Sequence, residues 1–215
     1  MAALASLVMQ GKLRAVLVAG AFAMLALLFP PLSILSAAVV ALVTLREGAW
    51  PGLTVAGLAS LVCGALALLL YANPVPVLGF VVLLWFPVWA LGLVLRSSRS
   101  LDVTVQGAML VGLLIALTFS IQVTAEQWQA LLEPISQALR QSGVVDEQQA
   151  RAFVSALALW MPGLLAAGFF VQLVLALFMG RWWQAKLYNP GGFRAEFHGL
   201  RLHQAVALLA LPLLA

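Results

Sequence analysis

The sequence predicts an all-α fold: a polytopic membrane helical bundle with six complete transmembrane helices and the start of a seventh. Of its 215 residues, 64% are hydrophobic and only 8% are charged, whereas soluble domains carry about 25% charged residues. Apolar runs of roughly 20 residues recur, which is the length that a helix needs to cross a bilayer. Lipid cannot satisfy backbone polar groups, so spans are helices or closed barrels. The period-2 alternation of a barrel is missing, which leaves helices.

The first apolar stretch covers residues 15–45 and is interrupted by Pro30-Pro31. A single helix of that length would reach about 46 Å at 1.5 Å per residue. Proline lacks a backbone donor and restricts the residue before it. We therefore expect two short helices joined by a turn, with a single kinked span as the alternative. Lys12 and Arg14 precede the run as in a signal peptide, but no cleavage site with a polar mature region follows, so we expect a retained first helix.

Small residues recur at every fourth position where the third span begins. They are Gly48, Gly52, Ala56, Ser60 and Gly64. Residues four apart share one helix face, and a face without bulky side chains lets another membrane helix approach closely. We expect this row to be a helix-packing ridge, with chance as the alternative.

Turn residues and composition delimit the later spans. The third span is expected to end near residue 71, the fourth to cover about 77–95, and the fifth to run from an Asp102 cap to about residue 122. A sixth is expected over 146–179, bent at Pro162. The apolar run at 204–215 is too short to cross the bilayer. We interpret it as the start of a seventh span and expect that the natural chain continues or has been cut.

Two segments depart from the apolar pattern. Residues 124–149 are rich in glutamine and charge, with apolar residues at helical spacing and a Thr124/Gln127 capping box. This pattern predicts an amphipathic helix on the membrane surface or over the mouth of the bundle. Residues 181–203 mix basic and aromatic side chains. They predict a basic interfacial helix, anchored by its aromatics and by anionic lipid.

The distribution of Lys and Arg predicts the orientation. With two helices before Arg46, nine of the eleven basic residues fall on one side. Cytoplasmic loops carry the excess of Lys and Arg. We therefore expect a multi-pass protein of the bacterial inner membrane with a cytoplasmic N-terminus. The 124–149 segment is then outside, the 181–203 segment is cytoplasmic, and residues 1–215 form a single transmembrane domain.

The sequence carries no pattern typical of an enzyme. It has no His-Glu-x-x-His zinc motif, no phosphate-binding P-loop and no Gly-x-Ser-x-Gly elbow. No charged side chain falls deep in an expected span, which argues against a proton relay. We expect no catalysis, no cofactor and no metal, and interpret His198 and His203 as interfacial rather than as metal ligands. Lipid headgroups account for the basic segment without nucleic acid.

Several of these elements resemble known membrane proteins. The Ala15-x-x-x-Ala19 helix, followed by an apolar helix and by Leu-Arg-Glu-Gly-Ala-Trp-Pro-Gly at 45–52, is similar to the S-components of energy-coupling-factor (ECF) transporters. The whole chain, including Tyr-Asn-Pro-Gly-Gly-Phe at 188–193, resembles more closely the YybS-like family of uncharacterised bacterial membrane proteins. That family is itself distantly similar to S-components.

The resemblance implies an S-component-like fold and binding or uptake of a small solute from outside. It also implies that the small face of the first helix docks a transmembrane coupling subunit with ATPases, through Ala15, Ala19 and Ala23. The alternative is that these alanines pack against another helix of the same chain. Residues at the outer ends of the spans would line the solute site, namely Asn73, Gln122, Trp128, Arg151 and Trp160. The alternative for each of them is an interfacial or helix-capping role. The alternative function is a non-transporting membrane scaffold or assembly factor that shares the fold, since fold does not fix function. A solid apolar interior beneath 124–149 would favour this alternative.

Overall fold

The computed structural model describes residues 2–72, 75, 79, 81–141, 143 and 145–201, apart from the side chains of residues 71 and 82. All regular structure in these ranges is helical, which confirms the all-α expectation. The helices are α1 (Ala2–Val8), α2 (Lys12–Ala26), α3 (Leu32–Glu47), α4 (Ala49–Tyr71), a π-helical turn (Val81–Trp85), α5 (Phe86–Ser98), α6 (Leu101–Gln122), α7 (Ala125–Gln141), α8 (Glu147–Tyr188) and α9 (Gly192–His198). They divide into two compact units. The first unit contains Met1–Met109 and Phe169–Ala215, and the second contains Leu110–Gly168.

Three of the helices are long and apolar enough to cross a membrane. They are residues Ala49–Leu70 of α4, the whole of α6, and α8. Less than a third of the most apolar part of each helix is buried, and α4 leaves Leu61 70% exposed. Contact with lipid explains such apolar exposure, which water would disfavour. This supports a membrane protein with three candidate spans in the described residues. The six complete spans stay a prediction.

The double proline separates two helices, as expected. Helix α2 ends at Ala26, the chain turns through 27–31, and α3 begins at Leu32. The Ser33 hydroxyl donates a hydrogen bond to the Pro30 carbonyl at 2.6 Å, which supports the first turn of α3. The single kinked span is therefore excluded.

Helix α3 is the centre of the first unit. All residues from 36 to 45 are buried, and a helix that is apolar on every side belongs in a protein interior. Helices α2, α4 and α5 pack around it. The C-terminal half of α8 also packs against α3. Gly180 lies so close that an added Cβ would be 2.7 Å from the Ala41 Cβ and 3.1 Å from the Ala38 carbonyl oxygen.

The C-terminal end of α3 is held by side chains from other helices. The Arg96 guanidinium donates to the carbonyls of Leu45 at 2.9 Å and Thr44 at 3.4 Å. The Gln184 amide donates to the same Leu45 carbonyl at 3.4 Å. The last carbonyls of a helix lack partners within the helix, and a cation there also complements the helix dipole. These contacts tie α3 to α5 and α8.

The expected small-residue ridge on α4 is only half correct. Gly48 precedes the helix with a φ of 109°, Gly52 and Ala56 face the protein, and Ser60 is half-buried. A Cβ at Gly64 would meet no atom within 4 Å, so the ridge expectation is wrong there. The reason is geometric. At 3.6 residues per turn, each four-residue step rotates by about 40°, so a strict row of five leaves the contact face.

The face of α4 that is buried along its length is displaced from that ridge. It consists of Val55, Ala59, Cys63 and Ala67, each at most 2% exposed. The Cys63 thiol lies 3.6 Å from the Gly20 carbonyl of α2. Small side chains therefore do mediate the packing of α4, but on a stripe that the row of small residues did not predict.

The second unit contains the end of α6, helix α7 and the first half of α8. The predicted capping box at the start of α7 is confirmed: the Gln127 side chain accepts from the Thr124 N–H at 2.9 Å, and the Thr124 hydroxyl accepts from the Gln127 N–H at 3.4 Å. A second box, between Asp146 and Gln149, starts α8. Gly143 has a φ of 68°, as expected of a residue that ends a helix.

Helix α8 is longer than the sequence indicated. It has 42 residues and runs through Pro162 to Tyr188, which corresponds to about 63 Å at 1.5 Å per residue. The expectation that the sixth helix ends at residue 179 is wrong. Residues 181–188, assigned to a separate interfacial helix, continue α8 instead, because arginine, lysine and glutamine are good helix formers that do not break a helix.

The orientation can be tested with cysteines at two exposed alanines. In a Cys63→Ser background, Ala138→Cys on α7 is expected to react with an impermeant thiol reagent in intact cells, and Ala195→Cys on α9 only after permeabilisation. The reason is the excess of Lys and Arg near 181–203. Labelling of Ala195→Cys but not Ala138→Cys in intact cells would reverse the orientation. Labelling of both variants in permeabilised cells controls for reactivity.

Candidate functional site

Trp128, expected to line a solute site, lies instead in an apolar cluster of the second unit. Trp128 and Leu132 of α7 pack against Val154 and Ala158 of α8. The indole ring is 6.0 Å from the Phe119 ring, centroid to centroid. Further partly buried apolar side chains complete the cluster, namely Val123, Leu157, Met161 and Leu165. The interior beneath α7 is therefore filled with apolar side chains.

Three of the other expected solute-site residues lie on the surface. Gln122 and Trp160 are exposed. Arg151 is also exposed and pairs with Glu147 one turn earlier on α8. Asn73 lies outside the described residues. The structure thus places Trp128 in a core and Gln122, Arg151 and Trp160 on the surface. Gln122 does lie at a helix end, as the last residue of α6, but the sequence did not predict the directions of these side chains.

Two polar groups in the second unit are buried without a hydrogen-bond partner in the described part of the chain. They are the Trp128 indole N–H and the Ser136 hydroxyl, which lie two turns apart on the buried face of α7. A buried donor without a partner costs about 1–3 kcal/mol.

At the polar surface of α7, hydrogen bonds from the Thr124 hydroxyl and from its own backbone N–H lower the pKa of the Glu126 carboxyl.

The alanine stripe expected to dock a coupling subunit is covered by the chain itself. Ala15, Ala19 and Ala23 are 1%, 0% and 8% exposed. The hydroxyl of Ser36 on α3 donates to the Ala19 carbonyl at 2.8 Å. The docking prediction for these three residues is therefore wrong. Their small side chains serve an internal purpose, because they let α2 approach α3 and α4 closely.

A groove lined by basic and aromatic side chains lies between the end of α8 and α9. We call it the α8–α9 groove. It has a volume of about 660 Å³ and is lined by Trp182, Ala185, Lys186, Pro190, Gly191, Phe193, Arg194, Phe197 and His198. The Lys186 ammonium lies 4.6 Å from the Trp182 ring centroid, a cation–π contact. The sequence indicated this mixture of side chains but not that they surround a common space.

The aromatic residues of α9 also fix its position. The Phe178 ring meets the Phe193 and Phe197 rings edge-on, with centroids 5.9 and 5.6 Å apart. Phe193 packs against a buried cluster that contains Leu45 and Leu95. The expectation that these aromatics anchor in lipid is therefore wrong for Phe193, which contacts the protein interior. Phe197 remains 48% exposed at the groove.

Asp102, which the sequence assigned to a helix cap, contacts the chain just after α9. Asp102 accepts a hydrogen bond from the Arg201 N–H at 2.8 Å. The start of α6 is capped by Ser100 instead, whose hydroxyl accepts from the Val103 N–H at 3.4 Å. The sequence did not distinguish these two side chains because both types cap helices.

Two exposed cationic side chains, Lys186 and Arg194, line the α8–α9 groove. No three His, Cys, Asp or Glu side chains come together in the residues that the structure describes. Comparisons with protein-family models, with curated proteins and with solved structures gave no match.

Proposed function

We propose that this chain is a membrane scaffold or assembly factor of the bacterial inner membrane, with its N-terminus in the cytoplasm. The observation that carries the proposal is the apolar interior beneath α7, where Trp128 and Leu132 pack on Val154 and Ala158. A solute-binding protein would be expected to place convergent polar groups there. The three helices long enough to cross a membrane support the location.

Solute capture in the manner of an S-component is the second candidate. One observation favours it: the Trp128 indole N–H is buried and has no hydrogen-bond partner among the described residues. A bound solute with an acceptor group would satisfy this donor. Docking of a coupling subunit through the α2 alanines is no part of this candidate. The resemblance to the YybS-like family stays a prediction that fits either function.

Helix α7 offers a surface through which a scaffold would act. Leu131 is 66% exposed and Ile135 is 40% exposed, and they are one turn apart on the same face. The helix also carries Glu126, Glu133 and Arg140, so it is too polar to span a bilayer. Apolar side chains exposed on such a helix are suited to an apolar patch on another membrane protein.

The scaffold proposal predicts a position-specific contact on α7. A photo-crosslinking residue at Leu131 is expected to give a discrete protein adduct in cells, whereas the same residue at Gln137, exposed on the polar side of α7, gives none. The adduct should disappear when Ile135→Glu is added, because a buried carboxylate opposes an apolar interface. Equal crosslinking at Leu131 and Gln137, or none at either position, would contradict the proposal.

The solute candidate predicts stabilisation by a ligand. A solute at 100 times its dissociation constant would raise the free energy of unfolding by about 2.7 kcal/mol, and Trp128→Phe should weaken the effect. We expect purified protein to show no saturable increase in its thermal midpoint with vitamins or divalent cations. A saturable shift that Trp128→Phe reduces would overturn the scaffold proposal in favour of solute binding.

A further inference from the structure

The α8–α9 groove begins where the longest span candidate loses its apolar character. From residue 164 to 180, α8 carries no charged side chain, and from Arg181 onward it carries Arg, Lys and Gln together with two Trp. Tryptophan rings favour the level of lipid headgroups. The groove residues Trp182, which is half-buried, and Lys186, which is exposed, follow closely on that change. We therefore expect the groove to lie at the level of the lipid headgroups.

The charge of the groove is positive and is not cancelled within α9. Lys186 and Arg194 both line it and are exposed. The nearby carboxylate, Glu196, pairs with Arg181, which donates from two guanidinium nitrogens to the two carboxylate oxygens. Because Glu196 is paired with Arg181 in this bidentate geometry, it does not pair with Lys186 or Arg194. Among the described residues, Arg194 makes no ion pair.

The groove also offers apolar surface beside its cations. Trp182 holds Lys186 over its ring, and Phe197 is half-exposed at the groove wall. A free phosphate would need only the cations, whereas a phospholipid has a phosphate next to apolar acyl chains. The combination therefore matches a lipid better than a small soluble anion.

We propose that the α8–α9 groove binds the phosphate of an anionic phospholipid, with Lys186 and Arg194 contacting the phosphate and Trp182 and Phe197 contacting the glycerol and upper acyl region. Anionic lipids are attracted to basic segments next to a membrane span. The Phe178 contacts that hold α9 against α8 preform the two walls. Lipid binding here is independent of whether the chain acts as a scaffold or binds a solute.

Native mass spectrometry of the detergent-solubilised full chain tests the site, with phosphatidylglycerol and phosphatidylcholine as probes. Wild type is expected to retain phosphatidylglycerol preferentially. Each basic residue near an anionic surface contributes roughly fivefold in affinity, so Lys186→Gln/Arg194→Gln should weaken phosphatidylglycerol binding by roughly 25-fold. The matched control is Lys12→Gln/Arg14→Gln, which removes two exposed charges from α2 and should change binding less than about twofold.

Two further arms identify the source of the phosphate. Phe197→Ala should weaken retention of phosphatidylglycerol, and soluble glycerol phosphate at the same concentration should not displace the lipid. Displacement by glycerol phosphate would mean that the groove takes a soluble phosphate ester, which overturns the lipid assignment. Equal losses of phosphatidylglycerol binding in the groove and control double variants would indicate binding to diffuse surface charge and would also overturn the lipid assignment. A wild type with no preference for phosphatidylglycerol over phosphatidylcholine would overturn it as well. An unchanged thermal midpoint in the groove variant confirms that the loss is local.

Discussion

Gly52→Leu is expected to destabilise the first unit by about 3 kcal/mol or more, whereas Gly64→Leu on the same helix should have an effect within about 0.5 kcal/mol. A Cβ at Gly52 would overlap the Thr44 hydroxyl of α3 and lie 3.1 Å from the Thr44 Cα. At Gly64, the same atom would meet nothing within 4 Å. Both changes add the same side chain to α4, so only the surroundings differ.

Thr44 has no room to move away from a side chain at position 52. Its hydroxyl donates to the Val40 carbonyl at 2.7 Å, which fixes the rotamer. On its other side its methyl group faces Gly92 of α5, where a Cβ would already be only 3.2 Å away. Thr44 is thus enclosed between Gly52 and Gly92. A leucine at position 52 would therefore displace the backbone of α3.

The measurement is the unfolding free energy of both variants in mild detergent, with monodispersity on size exclusion as a second readout. Equal stability of Gly52→Leu and Gly64→Leu would contradict the close approach of α3 and α4. A Gly64→Leu variant that is the less stable of the two would restore the packing ridge inferred from the row of small residues.

The helices that the sequence predicted well have local start and stop signals. Pro30-Pro31 separated α2 from α3, and the Thr124/Gln127 box marked the start of α7. Such signals act over a few residues and need no knowledge of the rest of the fold. The end of α8 was missed because the change to basic residues at Arg181 alters polarity without breaking the helix.

The directions of side chains could not be predicted in the same way. In most of this chain every face is apolar, so periodicity does not separate a face buried in protein from a face in lipid. Gly64 and Cys63 are neighbours in equally apolar sequence, yet the thiol is buried and the glycine has open space. Trp128 lies on the apolar face of the amphipathic helix α7, but helical spacing does not distinguish a residue of a core from a residue that lines a pocket.

Trp85→Ala is expected to cost about 3–5 kcal/mol, the range for removing a large buried aromatic side chain. Trp85 is 1% exposed and ends the π-helical turn that precedes Pro87. Its indole N–H donates to the Ser36 hydroxyl at 3.1 Å, and that hydroxyl donates in turn to the Ala19 carbonyl at 2.8 Å. One tryptophan thereby joins the π-helical turn to α3 and, through Ser36, to α2.

Trp85→Phe separates the contribution of the hydrogen bond from that of side-chain volume, and Trp50→Ala is the control at an exposed tryptophan. Trp85→Phe keeps an aromatic ring but removes the donor, so we expect a loss of about 1–2 kcal/mol, of which about 1 kcal/mol belongs to the hydrogen bond. Trp50→Ala removes the same number of atoms from a side chain that is 79% exposed, and should change stability by less than about 0.5 kcal/mol. The unfolding free energies are measured in one detergent for all three variants.

Since α3 is surrounded by α2, α4, α5 and α8, loss of Trp85 should loosen the whole first unit. Equal stability of Trp85→Ala and Trp50→Ala would show that Ser36 and Ala19 hold α2 against α3 without the indole.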